Sequence, residues 1–82
     1  METVSFVKPL EDYKIEVHFN DGVRAVIDIR PFIKTKGLSQ PLNNKTIFKT
    51  VTLDEAGGIT WSNGFDFCPV FLKQIAMSHI KF

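Results

Sequence analysis

Between Tyr13 and Arg30 the chain alternates strictly in polarity around a three-residue break, and few folds accept that pattern. Tyr13, Ile15, Val17 and Phe19 share one face, with Lys14, Glu16 and His18 on the other. After Asn20-Asp21-Gly22 the alternation resumes with Val23, Ala25, Ile27 and Ile29 against Arg24, Val26, Asp28 and Arg30. A period of two is that of a half-buried strand. Burial also sets the register. A two-residue turn at Asp21-Gly22 would put Arg24 opposite Phe19 and Asp28 opposite Ile15. A three-residue loop with Gly22 in the left-handed conformation pairs Phe19 with Val23, Val17 with Ala25, Ile15 with Ile27 and Tyr13 with Ile29. Lys14 then faces Asp28 on the outer surface.

The same reasoning applies to Phe48–Asp54 and Gly58–Ser62, which pair around Glu55-Ala56-Gly57. Val51 falls opposite Trp61, and Leu53 opposite Ile59. The other face carries Thr52 opposite Thr60 and Thr50 opposite Ser62, a surface of hydroxyls without charge. Thr3 to Lys8 is a further strand, leading through Pro9-Leu10-Glu11-Asp12 into the first hairpin to make a three-strand meander.

Helical signals are short. Pro31 to Gly37 reads as a turn or two begun by proline and stopped by glycine, and a second turn runs from Asn43 or Asn44 to Phe48. Neither holds itself together alone, so Phe32, Ile33, Leu38, Leu42 and Ile47 are expected to dock on the sheet. From Pro69 to about Met77, Phe71, Leu72, Ile75 and Ala76 form a core-facing stripe at helical spacing. The fold expected is a single α+β domain over residues 1–82. Its antiparallel sheet has about five strands, a meander plus a hairpin, with short helical segments and a short C-terminal helix.

With 82 residues and 44% hydrophobic content, the chain has enough apolar side chains for one core and too many for a disordered segment. The net charge is +1 and the basic residues are scattered, so direct nucleic-acid contact is not expected. The single cysteine points to a reducing, cytoplasmic setting. No apolar run reaches membrane-spanning length, so no membrane association is expected.

The densest concentration of unusual residues is Trp61-Ser62-Asn63-Gly64-Phe65-Asp66-Phe67-Cys68-Pro69. It reads as strand, turn and helix start. Trp61 closes the core of the second hairpin, Asn63-Gly64 reverses the chain, and Pro69 takes the first helical position. Asp66 is expected to cap the helix or the turn before it; an exposed Asp66 that caps nothing would restore a functional claim for the stretch. Trp61, Asn63, Gly64 and Asp66 are therefore the candidate site or motif residues.

No pattern for chemistry accompanies them. His18 and His79 lack metal-ligand spacing, and Asp54 and Glu55 lack the further oxygens of a calcium loop. Gly57-Gly58 precedes a strand, whereas a phosphate loop opens a helix. Cys68 at a helix N-terminus has no base nearby in sequence. Phe6, Tyr13, Phe19 and Phe48 fall at core-like positions and not among basic residues. No catalytic residue, cofactor site or metal site is assigned.

The order of these pieces is similar to a known family. The Phe-Asn-Asp-Gly turn, Ile27-Asp28-Ile29-Arg30-Pro31, Pro41-Leu42, Phe48, and Trp61 to Pro69 with Leu72 together resemble the bacterial family catalogued as domain of unknown function 2442. The resemblance implies a small α+β domain without known enzymatic activity. Some members carry an added helix-turn-helix region, and some are encoded beside another small protein in a toxin-antitoxin-like arrangement. Members often have an acid after the Pro-Leu pair and another after the later proline, where this chain has Asn43 and Val70. The expected function is a non-enzymatic interaction module with a protein partner, engaged through a free sheet edge or the hydroxyl face, and self-association stays open. The alternatives are a DNA-linked regulatory or antitoxin-like protein and, behind it, an uncharacterised enzyme centred on Asn63, Asp66 and Cys68.

Overall fold

The computed structural model describes residues 2–78. Strands β1 (Val4–Pro9), β2 (Lys14–Phe19) and β3 (Arg24–Asp28) form an antiparallel meander in the order β1-β2-β3. Two 3-10 turns follow, Arg30–Phe32 and Gln40–Asn43, then a one-turn helix α1 (Lys45–Phe48). A second antiparallel sheet joins β4 (Thr52–Leu53), β5 (Ile59–Thr60) and β6 (Asp66–Phe67), and helix α2 (Pro69–Ser78) closes the fold. The architecture is α+β, and the hairpin expected at residues 48–62 has gained a third strand.

The registers follow the burial argument. Lys14 lies opposite Asp28, Ile15 opposite Ile27, and Val17 opposite Ala25. In the second sheet Thr52 pairs with Thr60 and Leu53 with Ile59. One turn is used three times. Phe19 N–H donates to Val23 O at 2.8 Å while Gly22 N–H returns to Phe19 O; Asp54 and Gly58 repeat this around Gly57, and Trp61 and Phe65 around Gly64. Each third loop residue is a glycine at φ +91 to +93°, the left-handed position that this loop requires.

Buried side chains from both sheets meet in one core. Ile15, Val17 and Phe19 of β2, and Ile27 with Ile29, pack with Leu42, Phe48, Val51, Ile59, Trp61 and Phe67, and α2 adds Leu72, Ile75 and Ala76. Full burial of an aliphatic side chain stabilises by roughly 1.5–3 kcal/mol, so this cluster, and not the two-residue strands, holds the second sheet. Asn44 caps α1 by accepting N–H bonds from Thr46 and Ile47.

Five expectations change. Phe48 ends α1 and does not open a strand, so the second hairpin has a short ladder, with Ser62 N–H bonding the Thr50 hydroxyl instead. Phe6 is not in the core: β1 bulges between Val4 and Phe6, which turns Phe6 onto the outer face against His18, ring centroids 4.6 Å apart. Leu38 is exposed in the loop before Gln40, and Phe71 stands at the solvent edge of the α2 stripe. Finally, β2 starts at Lys14 and not at Tyr13, which belongs to the turn after β1. Asp12 and Tyr13 are both left-handed, φ +59 and +60°, in a tight turn closed by Lys14 N–H to Glu11 O. Side chains strap that turn down: Tyr13 donates its hydroxyl to Asn43 O at 2.7 Å, and its ring meets Phe48 edge-on and Arg30 at 5.6 Å.

Candidate functional site

Trp61 anchors the candidate stretch. It directly follows β5, is buried, and its indole Nε1 donates to Phe48 O at 2.9 Å, tying the second sheet to α1. From there rings run outward. Trp61 meets Phe65 and Phe67, Phe67 stacks on Phe71 at 5.6 Å, and Phe32 packs edge-on against both Phe67 and Phe71. The ladder begins in the core and ends at an exposed ring.

The polar members are mostly committed to the fold. Asn63 Nδ2 donates to Leu38 O at 2.6 Å and pins the preceding loop, leaving its buried Oδ1 without a partner among the described residues. Gly64 supplies the turn. The Thr60 hydroxyl donates to Phe65 O, and the Thr50 hydroxyl to Ile47 O. Two of the four hydroxyls of that face are thus bonded to local backbone, while Thr52 and Ser62 are exposed.

Asp66 does not cap anything. It sits in β6 opposite Thr60, side chain exposed, with no hydrogen bond or ion pair among the described residues. The cap of α2 is Cys68, whose Sγ accepts the Phe71 N–H at 3.4 Å. That contact gives the thiol a structural role, and no base is bonded to it among the described residues. Among the described residues no group of three or more His, Cys, Asp or Glu is placed to hold a metal ion, and no helix is long and apolar enough to cross a membrane.

Two further polar constellations lie elsewhere. Lys73 on α2 is bonded to Asp21 in the first hairpin loop and to Glu2 at 3.1 Å, and its ammonium lies 4.9 Å from the Phe19 ring centre. The hydrogen bond with Asp21 raises the Lys73 pKa, and the same bond lowers that of Asp21. These ties clamp α2 to the meander. The left-handed turn borders a recess of about 30 Å³ lined by Glu11, Asp12, Tyr13, Lys45, Phe48 and Lys49, too small for an organic ligand.

The exposed edge of the meander is a further feature. Among the described residues β3 pairs with β2 alone. Phe19 N–H bonds Val23 O and Ile29 N–H bonds Tyr13 O, so the odd-numbered residues of this strand turn their backbone groups toward β2. Arg24, Val26 and Asp28 turn theirs away.

Two small antiparallel sheets packed with helix α2 on one hydrophobic core define an α+β domain in which Trp61, Asn63 and Cys68 serve its own structure. The family model described as "Protein of unknown function (DUF2442)" matches residues 4–76, and the chain belongs to that family. No curated protein and no solved structure matches it.

Proposed function

We propose that the protein is a non-enzymatic, cytoplasmic interaction module that engages a protein partner through the open edge of β3. The observation that carries this reading is the outward row of unpaired backbone groups at Arg24, Val26 and Asp28. An edge of this kind accepts another extended chain by continuing the ladder. Within the Trp61–Pro69 stretch Trp61, Asn63 and Cys68 each spend a polar group on internal bonds, whereas Asp66, exposed and capping nothing, keeps a functional claim for the stretch. The toxin-antitoxin-like gene arrangement and the bacterial setting that the family resemblance implies would apply to this chain as well.

Affinity capture of the full chain from its native cells, compared with Val26→Pro, tests the reading. Proline removes the outward N–H at the centre of the edge. The expected result is a stoichiometric protein recovered with the natural chain and lost with the variant. Recovery of no stoichiometric protein, or equal recovery by both, would overturn it.

A further inference from the structure

We infer that the occupant of the β3 edge is a second copy of this chain, joined by a two-fold antiparallel pairing centred on Val26. The inference rests on the edge reading above and adds the identity of the partner. Along the edge the outward residues run Arg24, Val26, Asp28: a cation, an exposed apolar side chain and an anion. Antiparallel pairing about Val26 sets Arg24 opposite Asp28 of the second copy, and Asp28 opposite Arg24 of the second copy. Val26, 53% exposed in one chain, meets itself at the axis. A parallel pairing would instead place like charges face to face. The strand is therefore complementary to itself in one orientation only, as an isologous interface demands.

The backbone agrees with that register. Because the N–H and C=O groups of residues 24, 26 and 28 all point outward, the two-fold axis falls on a hydrogen-bonded pair. Each of these residues donates one bond and accepts one across the axis. A shift by one residue would bring outward groups against residues whose N–H and C=O already bond β2. On the inner face Ala25 would lie beside Ile27 of the second copy, so apolar side chains remain with apolar side chains. Helix α2 packs on β3, and its buried Leu72, Ile75 and Ala76 join the cluster that holds Ile27 and Ile29, on the inner face. The two meanders would merge into one continuous sheet through a short contact, which places the dimer among weak associations.

Sedimentation equilibrium of the full chain from about 10 μM to about 1 mM tests this, since a small interface dissociates at low concentration. The natural chain is expected to dimerise reversibly. Arg24→Asp sets two pairs of like charges across the axis and should weaken association by about tenfold or more. Adding Asp28→Arg to it restores opposite charges and should recover the dimer. Val26→Pro should be monomeric. Asp28 Oδ1 also accepts the Arg30 N–H at 2.9 Å, so R24D and V26P, checked for an unchanged circular dichroism spectrum, keep the test free of a folding defect. A natural chain monomeric throughout, or a dimer indifferent to R24D and V26P, overturns the inference. A strictly monomeric chain that still captures a different protein in a Val26-dependent way loses this inference and keeps the broader reading.

Discussion

Gly58→Ala should be the most damaging single-methyl change in the protein. Gly58 is buried at the start of β5, and a Cβ there would lie 2.1 Å from Phe67 O and 3.2 Å from both Phe67 C and Cys68 Cα. Non-bonded carbon contacts settle at about 3.5 Å, so β6 must retreat by roughly 1 Å or more. All the nearby atoms are backbone, so no side chain can swing aside. The retreat disturbs the Ile59–Phe67 pairing and the Trp61 N–H to Phe65 O bond. Overpacking costs about 1–3 kcal/mol, and each compromised hydrogen bond about 1 kcal/mol, giving about 3–5 kcal/mol in all. That is a large part of the 5–15 kcal/mol that holds a typical domain together. Gly64→Ala is the control: its φ is +93° and nothing lies within 4 Å, so only backbone strain of about 1–2 kcal/mol applies. Urea denaturation followed by Trp61 fluorescence and circular dichroism measures both. A Gly58→Ala variant that loses under 1 kcal/mol, or less than Gly64→Ala, would refute the close approach of β6.

Tyr13→Phe removes the bond to Asn43 O while keeping the ring contacts, and a loss of about 0.5–1.5 kcal/mol is expected in the same denaturation assay. Asn44→Ala strips the cap from α1 and should cost about 1 kcal/mol, read as a lower denaturation midpoint at unchanged slope. The Asp21–Lys73 tie gives a pH signature. Asp21 is held below the usual carboxylate range, so its contribution is present at neutral pH and lost as acid drives the pH below about 4. Lys73 is held above the usual lysine range, so its contribution persists through neutral pH and is lost only above about 10.4. Thermal melts of Lys73→Met should lie below those of the natural chain at pH 7, with the gap closing at both extremes. An unchanging gap would refute the assignment.

Much of the fold was legible because alternation and burial leave little choice of register. Arg24 and Asp28 could not sit in a core, and that alone selected the loop at Gly22. The third strand of the second sheet was missed, although its signal was present. Ser62-Asn63-Gly64 repeats the three-residue, glycine-ended loop that defines the other two hairpins, and Phe65-Asp66-Phe67 alternates after it. Pro69 close behind favoured a direct entry into the helix. The Asp12-Tyr13 turn carries no glycine, and a tyrosine in the left-handed region is set by its tertiary partners at Asn43, Phe48 and Arg30, which no local pattern reports. Phe71 and Leu38 look like core residues by type, and only the finished packing leaves them outside. At the candidate site Trp61, Asn63 and Gly64 take the structural roles read from sequence. Asp66 does not, because the cap it was expected to provide comes from Cys68.

The bulge in β1 has a meaning for how the two sheets are joined. Without Ser5, the run Val4-Phe6-Val7-Lys8-Pro9 would alternate in and out with the same side chains inward as now. Ser5 is therefore surplus to the register. What an extra residue adds is curvature. On the side away from β2, Val4 N–H reaches Gly57 O at 2.7 Å in the β4–β5 loop, with the Thr3 side chain packed against that glycine. In assembly terms Ser5 is a spacer that bends one sheet far enough to latch onto the other. A shortened relative lacking it would keep each sheet intact and lose this latch, leaving the shared core to hold the two sheets together.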